Sequence, residues 1–229
     1  MDDPWKALNL AAVKTLNPLW NDFAQEGRES AVLAPFARYP KAGAWLARSM
    51  GMSSDYKTRK LAAMLGGWIQ DPKYISILSE MLNREREVFR GDSLSANSVV
   101  EDIMFAATRW TESNDAQVRE GGIEVLATMV RDALEGTAWN TVNWAVANLY
   151  HATQGMHEVF QRLLSVEADQ VKGQKFFLNA IRAMQEKDMP TLTRMVTAPS
   201  RQIALDSNDP QFSTVNALWK AAAAAEVGE

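Results

Sequence analysis

The stretch Asp115-Ala-Gln-Val-Arg-Glu-Gly-Gly-Ile-Glu-Val-Leu-Ala-Thr-Met-Val-Arg-Asp-Ala-Leu134 decides the fold class. Its apolar residues recur three and four apart, as at Ile123, Leu126 and Ala127, and Gly136 follows its end. That is the period of one buried helix face, so the spacing predicts an α-helix over 115–134. The same period extends in both directions. Upstream it predicts helices over 4–25, after Tyr39-Pro40 to about Gly51, over 55–69, from Asp71-Pro72 to about 89, and over 97–111, with Gly91-Asp92-Ser93 as a loop. Downstream it predicts 139–153, 156–164, 169–187, 190–196, and a last helix from Asp209-Pro210 through Trp219 into Ala221–Ala225. Asp3 is placed to cap the first helix and Pro4 suits its first turn, while Pro18 is expected to break or kink it. Ala, Leu, Met, Gln and Glu are abundant, and no alternating run of β-branched residues is bounded by turns. The fold class read from this is all-α.

Three of these helices share a theme: Thr58, Leu61-Ala62, Leu65; Val99, Asp102-Ile103, Ala106; and Val142, Ala145-Val146, Leu149. Their starts lie 41 and 43 residues apart, the length of one helical hairpin in an array. Asp55-Tyr-Lys-Thr-Arg59 before Leu61-Ala62, and Asp115-Ala-Gln-Val-Arg119 before Ile123 and Leu126, resemble HEAT repeats. In that family the Asp and Arg near the helix start bridge neighbouring repeats. The resemblance covers residues 53–197 and implies a right-handed array of antiparallel hairpins, a HEAT/armadillo-like α-solenoid. An irregular orthogonal helical bundle is the alternative, since the last two hairpins are shorter, at about 30 residues each. In this reading 1–52 is an N-terminal helical cap and 198–229 a C-terminal capping helix, all in one domain of 229 residues. Gly66-Gly67 and Gly121-Gly122 interrupt predicted helices. They are read as points of close helix packing, with backbone approach by a ligand as the other reading.

Composition removes many functions. There is no cysteine, so thiolate metal sites and a cysteine nucleophile are out. With two histidines a three-histidine metal site cannot form. No phosphate-binding Gly-rich loop, G-x-S-x-G elbow, H-E-x-x-H or EF-hand loop is present. No run approaches the ~18 apolar residues of a membrane span, and Met1-Asp2-Asp3-Pro4 lacks the basic flank of a secretory signal. The expectation is a cytoplasmic, non-catalytic protein with no cofactor and no membrane partner. His151 and His157 flank Gly155 near Glu158. Two imidazoles and one carboxylate are a minimal metal set, and a helix-end role is favoured for them.

Of eight tryptophans, Trp144 stands out. On the helix 139–153, Trp139, Val142, Val146, Leu149 and Thr153 form one stripe, and Trp144 lies almost opposite its centre at 100° per residue. Asn140, Asn148 and His151 lie beside it. An aromatic with amides and a histidine, away from the main stripe, is a candidate recognition surface. The competing reading is that Trp144 meets the next hairpin.

Trp139-Asn-Thr-Val-Asn143 also resembles the Trp-Asp-x-Val-Asp stretch of HEAT-like alkylpurine DNA glycosylases, with two of five residues identical. In that family the final Asp supports loss of the cationic base, and tryptophans line the nucleotide site. Asn143 falls in the place of that Asp. An amide carries no charge to stabilise a developing oxocarbenium ion. The resemblance therefore implies a nucleic-acid-binding or glycosylase-like protein with altered or lost catalysis.

The net charge is −4, and it is uneven. Residues 38–90 carry ten Lys/Arg against five Asp/Glu, and 112–169 carry three against nine. Phosphates are repelled from the second region, so nucleic acid is a disfavoured partner and a protein the favoured one. If an acidic partner exists, Lys57, Arg59, Lys60, Arg84, Arg86 and Arg90 are its contacts. The other reading of Asn83-Arg-Glu-Arg-Glu87 is a solvated face with i,i+3 and i,i+4 pairs.

Overall fold

The computed structural model describes residues 3–26, 29–137, 139–167, 171, 174–197 and 205–228, without side chains for 17–26. The described residues form α1 (Pro4–Glu26), α2 (Glu29–Leu33), α3 (Pro40–Gly51), α4 (Tyr56–Gly66), α5 (Ile77–Phe89) and α6 (Ser93–Thr111). Then follow α7 (Ala116–Leu134), α8 (Val142–Thr153), α9 (Val159–Leu164), α10 (Lys175–Gln185), α11 (Met189–Met195) and α12 (Phe212–Val227). Two 3-10 turns, Ala34–Arg38 and Pro72–Tyr74, join them, and no strand occurs among the described residues. The all-α class stands. No described helix is long and apolar enough to cross a membrane.

Aspartates start α4, α6 and α7. Asp55 accepts from the amides of Lys57 and Thr58, Asp92 from Ser95, and Asp115 from Gln117 and Val118. Each satisfies first-turn N–H groups that no helical carbonyl can reach. The cap at Asp92 starts α6 at Ser93, so the expected Gly91-Asp92-Ser93 loop ends one residue early and the helix begins well before residue 97. The expected break at Pro18 is not there: α1 runs from Pro4 to Glu26. Proline removes a single N–H rung, and the helix continues on both sides of it.

The Asp-x-x-x-Arg starts of α4 and α7 are built alike. The Asp55 amide donates to Ser53 Oγ at 3.1 Å, and Arg59 Nη1 returns to the carbonyls of Ser53 and Ser54 at 3.2 and 3.0 Å. At α7 the Asp115 amide donates to Ser113 Oγ at 3.2 Å, and Arg119 Nη1 to the carbonyls of Ser113 and Asn114 at 2.8 and 3.4 Å. These helices stand three apart in the chain. A strict two-helix period would place them two or four apart, so what repeats is a helix start and not a helix pair. Arg59 alone of the two reaches a second helix, donating Nε and Nη2 to Glu85 of α5 at 2.6 and 3.2 Å in a buried ion pair.

Most of the middle helices touch a chain neighbour, and several also touch the next one along. α3 lies on α4, α5 on α6, α6 on both α4 and α7, and α7 on α8. α3 also meets α5, and α8 meets α10 and α11. One apolar core runs from Leu8 to Ala225. Close crossings hold α6 in place: a Cβ on Gly122 would sit 2.6 Å from the Ala107 carbonyl, and one on Gly67 2.9 Å from Ala106 Cα. Close packing is what these two glycines serve.

α12 rests on α1 and α3. Its Glu226 carboxylate accepts from the amides of Lys41 and Ala42 at 3.2 and 2.8 Å, so a side chain from the last helix caps α3. The Trp219 indole donates to the Val32 carbonyl at 2.9 Å. Both chain ends thus serve the same end of the molecule.

Candidate functional site

Three helix starts converge on one groove. Tyr56 opens α4, Leu94 lies in the first turn of α6, and Asn140, Thr141 and Trp144 sit at the entry to α8. With Asn97, Ser98 and Glu101 they enclose about 410 Å³. The geometry follows from the local sequence. The Asp92 cap turns α6 so that Leu94 is 80% exposed over the groove. The Asn140 amide donates to Asn97 Oδ1 at 2.7 Å, which ties the start of α8 to α6. Trp144 is half-buried, in contact with the core yet lining the groove.

Polar groups in the groove differ in how they are engaged. Ser98 Oγ accepts from Lys60 at 3.2 Å, and Lys60 Nζ also lies 3.2 Å from Asp102 Oδ2. Burial pushes the Asp102 carboxyl up to about 7 against the pull of Lys60, and the charges of Glu101 and Glu29 add to the rise. The Thr141 hydroxyl is buried and has no hydrogen-bond partner among the described residues.

The site residues expected from sequence do not form one surface. Trp144 and Asn140 meet in the groove. Asn148 is a correction: it is buried at 2% exposure, donates to Thr197 Oγ1 at 2.8 Å and accepts from the Thr197 amide at 3.1 Å. α8 packs on α10 and α11 as well as on α7, and Asn148 fastens the segment after α11. Asn143 is buried in the first turn of α8 and does not line the groove. His151 is exposed, but it lines a smaller hollow of about 220 Å³ with Tyr150, Met189 and Leu192.

Arg86 is the second correction. It donates to both carboxylate oxygens of Asp132 on α7, so its charge is spent within the fold. Arg84 makes the expected i,i+3 pair with Glu87 at 3.5 Å, far weaker in geometry. Arg59 and Lys60, also named for an acidic partner, are held by Glu85 and Asp102. The mixed-charge run 83–87 is therefore only partly a solvated face, since Glu85 is 1% exposed.

Sequence reasoning missed Tyr56, Leu94, Glu101 and Thr141. A lone leucine between serines behind a capping aspartate was the signal for Leu94. The others have none, because only the packing of α4, α6 and α8 brings them together. Among the described residues no group of three His, Asp or Glu is close enough to hold a metal ion. No family model, no curated protein and no solved structure matches the chain.

Proposed function

We propose that the chain is a non-catalytic protein-recognition module, a HEAT-like helical array without a strict period, and that the groove between α4, α6 and α8 receives a segment of a partner protein. The packing of α3 on α4, α5 on α6, α6 on α7 and α7 on α8, with α4 on α6 and α8 on α10 as well, supports the array. The observation that carries the function is Leu94, 80% exposed beside Trp144 and Tyr56 in a concave site. An aliphatic and two aromatics ringed by serine, asparagine and threonine match the apolar centre and polar rim of recognition sites. Among the described residues no lysine or arginine lines the groove, which disfavours a phosphate backbone as occupant.

The test is a display selection of random peptides on the full chain, followed by affinities on variants. Leu94→Asp and Trp144→Ala should each weaken the selected peptides about tenfold or more, with little change in the urea midpoint of Leu94→Asp. Selected peptides that bind both variants unchanged would defeat the reading. So would submicromolar, salt-sensitive binding of duplex DNA.

A further inference from the structure

Among the described residues Glu101 is the single charged one lining the groove. Among the described residues it makes no hydrogen bond or ion pair, while Lys60, whose ammonium reaches Ser98 of the groove, is also paired with Asp102. A carboxylate in a concave, partly dry site favours a cation there over bulk water. Trp144 and Tyr56 line the same groove, and an aromatic face attracts a cation that an aliphatic wall would not.

We infer that the segment seated in this groove carries one basic side chain, arginine or lysine, whose cation sits against Glu101 and the aromatic wall of Trp144. This rests on the groove being the docking site proposed above. The other aromatic cleft differs in this respect. Trp5, Trp45 and Tyr74 line it with Lys41 and Arg48, but Lys41 Nζ donates to the Gly228 carbonyl and Arg48 is paired with Glu80. The charge that Lys41 keeps in that cleft is positive, which repels a basic side chain instead of seating one.

The probes are three acetylated, amidated pentapeptides, Ala-Leu-Arg-Leu-Ala and its counterparts with norleucine or glutamate in place of arginine. They are titrated into the isotope-labelled full chain and followed by NMR at the Trp144 indole and the Leu94 methyls. The arginine peptide should bind tightest and the glutamate peptide weakest. Glu101→Gln should weaken the arginine peptide about fivefold and change the norleucine peptide less than about twofold. Raising salt on the unaltered protein should weaken the arginine peptide alone, which covers the case of a misfolded variant. Equal binding of the arginine and norleucine peptides, or no effect of Glu101→Gln and of salt, overturns the inference and leaves the groove standing. If no peptide moves the Trp144 or Leu94 signals, the groove itself fails as the docking site.

Discussion

Arg86 grips Asp132 through two parallel hydrogen bonds, Nε to Oδ2 at 2.9 Å and Nη2 to Oδ1 at 2.6 Å. The indole of Trp139 donates to the same carboxylate at 3.0 Å. α5, α7 and the entry to α8 are thereby joined at one largely buried anion. Removing the anion leaves three N–H donors, two on Arg86 and one on Trp139, without that acceptor, whereas removing Arg86 leaves Asp132 with Trp139 and solvent. Asp132→Ala should therefore cost about 3 kcal/mol of unfolding free energy, and Arg86→Ala about 1–2 kcal/mol. Arg86→Lys should recover little, because an ammonium cannot span both oxygens. Urea unfolding checks the order, and an Asp132→Ala variant as stable as the parent chain would refute it.

Trp139 and Trp144 separate core from site. Trp139 is 1% exposed and packs edge-on against Phe89 at 5.0 Å between ring centres. Truncating it to alanine should cost about 3–5 kcal/mol. Trp144 is half-buried in the groove, and its truncation should cost about 1–2 kcal/mol. Equal losses in chemical denaturation would make Trp144 an inter-helix core residue and remove the aromatic wall of the groove.

The helices were legible because each carries its own period and punctuation. Asp55 and Asp115 cap where their helices were expected to start, and the stripe Val142, Val146, Leu149 is buried as its spacing implies, whereas Asp92, read as loop, proves to cap α6. What a single helix cannot encode is which neighbour covers its other face. Asn148 read as exposed because it lies off the α8 stripe, and it is buried because the segment after α11 returns over it. Glu85 and Arg86 read as surface charges, and they are held by Arg59 and Asp132 from helices 26 and 46 residues away. Likewise Glu226 caps a helix 184 residues upstream, a partnership that no local pattern contains. Within the groove, Trp144 and Asn140 were legible from their own helix, and Tyr56, Leu94, Glu101 and Thr141 were not.

Asp102 gives the protein a pH dependence of definite sign. Its carboxyl titrates near 7 when folded, against an ordinary 3.8, because burial disfavours the charge more than Lys60 supports it, with Glu101 and Glu29 on the same side as burial. Between those values the folded state holds the proton and the unfolded state has lost it. Stability from this group therefore falls as pH rises from about 4 to about 7, by at most ~1.4 kcal/mol per pH unit, and levels off above. Asp102→Asn cannot titrate. The stability of that variant relative to the parent should rise across the window by a total on the order of 3–4 kcal/mol. Urea unfolding at stepped pH measures it, and a difference that stays flat, or moves the other way, would show that Lys60 outweighs burial.

Gly121 and Gly122 are adjacent in one helix, and the crossing of α6 and α7 assigns them opposite responses to a methyl group. A Cβ on Gly122 meets the Ala107 carbonyl at 2.6 Å, Trp110 Cβ at 2.9 Å and the Thr111 amide nitrogen at 3.0 Å. Two of these are backbone atoms, and Trp110 is fully buried with its indole bonded to the Gly66 carbonyl at 3.1 Å. Nothing there yields without parting the helices, so Gly122→Ala should cost about 2–3 kcal/mol. A Cβ on Gly121 meets Ile75 Cβ at 3.4 Å and the Trp110 ring at 3.5 Å, which is ordinary contact. Gly121→Ala should then keep the helix-propensity gain, up to about 1 kcal/mol. Thermal unfolding of the two single variants compares them directly. If Gly122→Ala is the more stable, α6 and α7 do not cross where the structure has them, and the side of α6 turned toward the groove would have to be assigned anew.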